Sequence, residues 1–350
     1  MKKILLLTNM YPSKEYPHYG VFVKNCEDML KQEGYSVQPV IITYQTNRWR
    51  KVGQYIRFTV QAILKALWER NDYIYAHYAS HMMPIVMLLR FLGVKTPIVV
   101  NVHGNDIVPT RPAEEKNPAR SQKTLEKADL IIAPSVYFKE VLMTQYGVEE
   151  YKIRVFSSGG VNSKLFFAKD GEYSRRKIGM DQDLIILGFV GRIEPLKGWD
   201  IFLKAVKRLN GKNKKIRYLL IGEGTQEKEC KRRIQQLKLE DKGWCYPLQA
   251  QTQLADFFSV MDVFCVSSEQ ESLGLVGIEA MSCGAVCVLS DIPGMQEYAK
   301  DGVNCLTFSS GDEQALAEKV QEALCLTEDK KAELKRQAQR TAREYEVKHL

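Results

Sequence analysis

The chain has 350 residues, 45% of them hydrophobic, and a formal net charge of +8. That length suits two α/β domains, each able to bury a core. No apolar run reaches the roughly 18 residues of a spanning helix. Eight cysteines scattered without a CxxC pair point to reduced thiols in a cytosolic setting and argue against a disulfide framework. Residues 1–164 carry 22 Lys and Arg against 14 Asp and Glu, whereas residues 165–350 carry 28 of each, so the whole basic excess sits on the first half. Such a surface attracts anionic lipid or an acidic substrate. Without an aromatic-interleaved RNA motif or a recognition-helix pattern, nucleic acid is not an expected partner.

The opening MKKILLLTNMYP has two lysines and a short apolar run, yet Asn9 and Pro12 cut it off and no small-residue cleavage site follows. Residues 3–9 therefore read as the first buried strand of a parallel sheet. A loop ending at Gly20 leads into the helix VFVKNCEDMLKQEG (21–34). In a doubly wound sheet that loop lies at the carboxyl edge, where ligands bind. After the strand YSVQPVIIT (35–43) comes RFTVQAILKALWER (57–70), with a helical stripe of Val60, Ile63, Leu64, Leu67 and Trp68. Arg48, Arg50, Lys51, Arg57, Lys65 and Arg70 surround it. Two readings stay open: a core-facing helix with solvated basic ends, or an element lying on anionic lipid.

Residues 72–84 read as a strand ending in His77, with His81 following. HxxxH can chelate a metal on one helix face, but His77 belongs to a strand end and no acid lies between, so no metal site is expected. TPIVVNVHGNDI (96–107) is a β-branched strand ending in His103-Gly104-Asn105-Asp106. A histidine there, with glycine giving the backbone room, can reach a ligand in an interdomain cleft, and Asp106 would orient its neighbours. A proline-rich loop, a helix, the strand 128–135 and another helix follow. Gly159-Gly160-Val161-Asn162 then reads as a turn, with a linker near 157–180 and domains at 1–165 and 166–350.

The second half opens with DLIILGFVGRIEPLKGWDIF (183–202). A strand ends at Gly191, and Arg192, Glu194 and Lys197 line the loop before a helix opening at Gly198. Arginine offers planar paired donors and lysine a compact charge, so together they can neutralise a diphosphate without metal. Asp181-Gln182-Asp183 is formally DxD but precedes the domain's first strand and reads as linker. Residues 216–224 form a buried strand meeting Gly222-Glu223-Gly224, and another strand spans 243–250. In SSEQESLGLVGIEAMSCGAVCVLSD (267–291), Glu271 stands just ahead of a helix and Glu279 about a turn inside it. A helix start exposes unpaired N–H groups that suit phosphate or sugar oxygens, and carboxylates beside it can accept hydrogen bonds from vicinal hydroxyls. The combination points to a sugar nucleotide. Helices from about 312 to 346 close the chain.

The E-x7-E pattern running into A-M-S-C-G, together with G-R-x4-K-G at 191–198 and H-G-x-D at 103–106, closely resembles glycosyltransferase family 4. The resemblance implies the GT-B fold: two facing Rossmann-like domains with parallel sheets and an interdomain cleft, the first binding acceptor and the second nucleotide sugar. It implies a retaining hexosyltransferase-type enzyme working without metal or other cofactor. By resemblance the Tyr11-Pro12…Gly20-Val21-Phe22-Val23 loop faces the donor diphosphate, His103 lies near donor sugar and acceptor, and Arg192 and Lys197 grip the phosphates. Gly191 borders that loop, and Gly222, Glu223 and Gly224 lie by the nucleobase and ribose. Glu279 would hold ribose hydroxyls, and Glu271 with the amides near Leu273, Gly274 and Leu275 would hold the sugar. His103, Glu271, Arg192 and Lys197 are then the catalytic set. The donor expected first is a UDP-sugar, then a GDP-sugar. The acceptor is a glycan or lipid-linked intermediate of surface polysaccharide or glycolipid synthesis, reached in the cytoplasm or on its membrane face. A sugar-nucleotide epimerase and a non-catalytic binding subunit are the rival readings.

Overall fold

The computed structural model describes residues 1–16, 19–157 and 160–346. The chain forms two compact units, Met1–Gly159 and Gly160–Leu350. Of the expected turn, Gly159 lies outside the described residues.

The first unit runs β1 (Lys3–Tyr11), α1 (Val21–Gln32), β2 (Ser36–Thr43), α2 (Arg48–Trp68), β3 (Tyr73–His77), α3 (Ala79–Phe91), β4 (Ile98–Asn101), α4 (Asn117–Lys127), β5 (Leu130–Ala133), α5 (Val136–Tyr146) and β6 (Ile153–Val155). Its strands are parallel, in the order β2-β1-β3-β4-β5-β6. Residues alternate across a strand, and a parallel sheet is covered on both faces, which is why KILLLTN carries no polar alternation. Leu5 and Leu7 join one core, with Phe58, Ala62 and Ala66 of α2, while Ile4 and Leu6 join the other, with Val23 and Cys26 of α1.

One expectation is corrected here. The helix read at 57–70 starts nine residues earlier, at Arg48, where Asn47 caps it by accepting from the N–H groups of Trp49 and Arg50. The apolar stripe read from the sequence is not its buried face. Phe58, Ala62 and Ala66 are buried, whereas Val60, Leu64, Leu67 and Trp68 are exposed.

The second unit runs α6 (Gly171–Lys177), β7 (Ile185–Val190), α7 (Trp199–Lys212), β8 (Ile216–Ile221), α8 (Glu227–Gln236), β9 (Gly243–Tyr246), α9 (Gln251–Val260), β10 (Val263–Val266), α10 (Leu275–Ser282), β11 (Cys287–Asp291), α11 (Pro293–Gln296), β12 (Leu306–Ser309), α12 (Glu313–Cys325) and α13 (Glu328–Glu344). The sheet is parallel, ordered β12-β11-β10-β7-β8-β9. Counted from β7, that is the doubly wound dinucleotide-fold order, whose direction reverses between β7 and β10. Ile186, Val190, Leu219 and Ile221 enter the core beneath α9 and α10; Leu187, Phe189, Tyr218 and Leu220 enter the one beneath α7 and α12. α13 packs on α10 through Ala338 and Ala342. All eight cysteines are free, six of them buried.

Candidate functional site

Ligands of open α/β sheets sit outside the carboxyl ends of the strands where strand order reverses. In the first unit the reversal falls between β1 and β3, in the second between β7 and β10. The four helices that follow those strands begin on residues with positive φ: Gly20 (76°) before α1, Tyr78 (70°) before α3, Gly198 (68°) before α7 and Gly274 (77°) before α10. No other described helix start has positive φ, and none of these four carries a capping side chain. By contrast Asn47, Ser135, Asp170, Asp312 and Thr327 cap their helices conventionally. At α1, α7 and α10 a sharp turn onto an uncapped start leaves first-turn N–H groups open to an anion, whereas at α3 the Ala79 N–H is already taken by Asp106.

The loops after β7, β8 and β10 are tied together. The Ile193 N–H donates to the Glu223 carbonyl at 2.8 Å, and the Gln226 N–H to the Ile193 carbonyl at 3.0 Å. Glu194 accepts from the Thr225 N–H at 3.0 Å and from its hydroxyl at 2.7 Å. Gly222 and Gly224 owe their side-chain-free state to this: a Cβ would lie 2.0 Å from the Gly191 carbonyl oxygen or 2.3 Å from that of Ile193. Leu196 takes φ 63°, an unusual conformation for a branched side chain, and its carbonyl accepts from the Glu269 N–H at 2.8 Å. Gly198 presses against β10's end so closely that a Cβ would sit 1.7 Å from the Ser267 carbonyl oxygen, and the Ser267 hydroxyl donates to the Gly198 carbonyl at 2.8 Å. These constraints deliver Lys197 Nζ to Glu271 Oε1 at 2.7 Å. Ser268 Oγ donates to the same Glu271 oxygen at 2.7 Å. Both charged side chains are largely sheltered, so this cation and carboxylate hold fixed positions. Arg192, earlier on the same loop as Lys197, is exposed.

Four residues beyond Glu271 the uncapped α10 begins, with Gly274's carbonyl held by the buried Tyr298 hydroxyl at 3.1 Å. Glu279 lies one turn inside, as read from the sequence, and accepts a 3.4 Å hydrogen bond from Gln251 of α9. Burial pushes the Glu279 carboxyl up to about 8, with Gln251 opposing weakly. Near neutral pH it therefore carries a proton and can donate to a hydroxyl as well as accept from one.

In the first unit His103 leaves β4 beside β3 and α1. Its ring lies 4.7 Å from those of Phe22 and Tyr78, and stacks on His77 with 5.2 Å between centroids. His103 Nε2 and His77 Nδ1 are 3.0 Å apart. Asp106 accepts from the N–H groups of His103 (3.0 Å), Gly104 (2.9 Å) and Ala79 (3.0 Å), fixing the turn as expected of an orienting residue. Burial lowers His77 to about 3, and burial with the neighbouring His77 lowers His103 well below the histidine range, so both rings are neutral. His77 Nε2 is buried without a partner. A bare lone pair there costs less than an orphaned N–H, which assigns the His77 proton to Nδ1. It is then donated to His103 Nε2, leaving the His103 proton on Nδ1. His81, its HxxxH partner by spacing, is exposed on α3 and faces Ser80 at 3.2 Å.

Of the residues read from the sequence, the structure joins Lys197 to Glu271 directly and links Glu223 to the Arg192 loop through Ile193. It sets Leu273, Gly274, Leu275 and Glu279 at the start of α10, and puts Gly20 before α1, with Phe22 of that helix against His103. The sequence reading passed over Ser268, Gln251 and the pairing of His77. Ser268 stands three residues before Glu271 in a polar turn, a visible signal. Gln251 comes from a helix whose neighbour in space no local pattern reveals.

Residues 170–344 match the family described as Glycosyl transferases group 1, and residues 16–159 match Glycosyltransferase Family 4. D-inositol 3-phosphate glycosyltransferase of Kribbella flavida is 31% identical over 211 residues, covering 58% of this chain and 49% of that protein. The enzyme of the same name from Mycolicibacterium smegmatis is 29% identical over 208 residues, 58% of this chain and 47% of that one. The chain thus spans about half the length of the curated relatives it matches. Among solved structures, Anabaena HepE in complex with UDP and glucose superposes with TM-score 0.78 at 21% identity over 99% of this chain and 96% of that one. Sucrose-phosphate synthase from Thermosynechococcus elongatus does so with TM-score 0.81 at 19% identity over 99% and 95%. With two doubly wound units in the GT-B manner and these matches along its length, the chain belongs to the group 1, family 4 glycosyltransferases.

Proposed function

We propose that the chain is a retaining glycosyltransferase that takes its sugar from a nucleoside-diphosphate sugar, UDP first and GDP second, and works without metal. The observation that carries this is the Lys197–Glu271 pair, 2.7 Å apart, beside the uncapped start of α10. A fixed cation and carboxylate at a sheet's reversal point suit a phosphate next to a sugar hydroxyl. Lys197 and Arg192 bind the diphosphate and stabilise the charge that develops as it leaves. Glu271 and the amides at 273–275 hold the sugar, Glu279 the ribose. In the first unit, His103 offers its Nδ1–H to the acceptor. No protein nucleophile is assigned; the leaving phosphate helps deprotonate an acceptor attacking from the same face.

The acceptor is a glycan or lipid-linked intermediate of surface polysaccharide or glycolipid synthesis, met on the cytoplasmic side. Similarity to the D-inositol 3-phosphate enzymes makes a small phosphorylated polyol the alternative. The test is a thermal-shift panel of UDP, GDP, ADP and CMP with and without EDTA, followed by transfer assays. A ligand at a hundred times its dissociation constant adds about 2.7 kcal/mol. One diphosphate should stabilise the protein equally with EDTA, and Lys197→Ala and Glu271→Gln should each cut transfer by orders of magnitude. Near-normal turnover in either would overturn the assignment, and sugar-nucleotide isomerisation without acceptor would instead establish an epimerase.

A further inference from the structure

The outer face of α2 is apolar and covered by nothing among the described residues. Trp49 is 82% exposed, Ile56 62%, Val60 48%, Leu67 44% and Trp68 77%. At 3.6 residues per turn, Trp49, Ile56, Val60 and Leu67 fall within about 40° of one line along the helix. The buried line of Phe58, Ala62 and Ala66 lies about 140° away. The helix thus has two apolar faces, one satisfied by the core and one not. Its 21 residues make it about 30 Å long, with exposed tryptophans near both ends.

The charge around that face is of one sign. From Gly34 to Trp68 the chain contains no Asp or Glu, while Arg48, Arg50, Lys51, Arg57 and Lys65 all lie on α2. Lys65 pairs with Glu69 just past the helix; the other four pair with no carboxylate among the described residues. Arg50 and Arg57 lie along one shoulder of the apolar line, where their long stems can reach past it. A second copy docking through the same face would bring its five cations against these, an unfavourable match for a symmetric contact. A surface that is apolar inside and negative at its boundary fits both features. No described helix is long and apolar enough to cross a membrane, so α2 would lie along one.

We propose that α2 docks the protein on an anionic bilayer surface, with Trp49, Ile56, Val60 and Leu67 at the headgroup–acyl boundary and Arg50 and Arg57 against lipid phosphates. The proposal is independent of the transfer reaction. The full chain is sedimented with vesicles of phosphatidylcholine alone or with about 30% phosphatidylglycerol, while tryptophan emission is followed. Binding with a blue shift is expected only on the anionic vesicles, weakening at about 0.5 M salt. Ile56→Glu with Val60→Glu, and separately Arg50→Glu with Arg57→Glu, should each lower binding about tenfold or more. All four positions are exposed, so melting temperature should hold, and the arginine pair decides if the apolar pair destabilises the fold. Failure of the parent chain to bind anionic vesicles would overturn the proposal. So would equal binding by both double variants, or a parent dimer in sedimentation velocity that Ile56→Glu with Val60→Glu dissociates. Vesicle binding without any response to nucleoside diphosphates would leave this proposal standing and remove the preceding one.

Discussion

Glu279→Gln should stabilise the protein in alkaline buffer and do so progressively less toward acid. The carboxyl ionises at about 8 in the folded chain against an ordinary 4.5, because burial penalises its charged form. Folding therefore favours the protonated acid. Below about pH 4.5 both states are protonated and nothing is lost. As pH rises from there to about 8, the unfolded chain releases the proton that the folded chain keeps, and stability falls; above about 8 the deficit is constant. A shift of this size corresponds to at most about 5 kcal/mol. The residue is partly exposed, and water reduces the deficit to about 2 kcal/mol. Glutamine keeps the shape and cannot ionise. Any change in the 3.4 Å contact to Gln251 adds an offset independent of pH. Thermal melts of both proteins from pH 5 to pH 9 should diverge by about 4–8 °C toward the alkaline end, given about 2–4 °C per kcal/mol in a unit of this size. Parallel curves, or a gap that widens toward acid, would refute the assignment of a proton-holding Glu279.

Two further outcomes are expected. Gly198→Ala should cost about 3–5 kcal/mol, since alanine pays about 1–2 kcal/mol for the left-handed backbone and its Cβ would overlap the Ser267 carbonyl; a denaturant midpoint implying under about 1 kcal/mol would contradict the close approach that seats Lys197. The folded chain refuses protons at His77 and His103 that the unfolded chain accepts near 6.5, so stability is full above pH 6.5 and declines as pH falls toward 3. His77→Asn should make melting temperature less steep in acid between about pH 6.5 and 5, and an unchanged slope would show that the ring is not held neutral by burial.

Much of the second unit was legible because its signals are local. G-R-x4-K-G after an apolar strand and E-x7-E across a helix start each place a side chain within a few residues of a strand end. Alternating strands and helices then give the parallel α/β class, and Glu271 ahead of α10 with Glu279 inside it needed only the glycine at 274. Pairing was not legible in the same way. Lys197 meets Glu271 because β7 and β10 are neighbours in the sheet, and His77 meets His103 because β3 adjoins β4; strand order is decided by the whole packing, not by any one segment. The same holds for burial. In α2 the sequence reading took Val60, Ile63, Leu64, Leu67 and Trp68 as the helical stripe, whereas the line that meets the core is Phe58, Ala62 and Ala66. The tertiary structure put Phe58, Ala62 and Ala66 against the sheet and left Val60, Leu64, Leu67 and Trp68 exposed. The sequence by itself supplied the candidate residues for a sugar nucleotide and the basic, apolar composition of α2. Only the packed fold decided which of them share a site and which face of a helix remains for a partner.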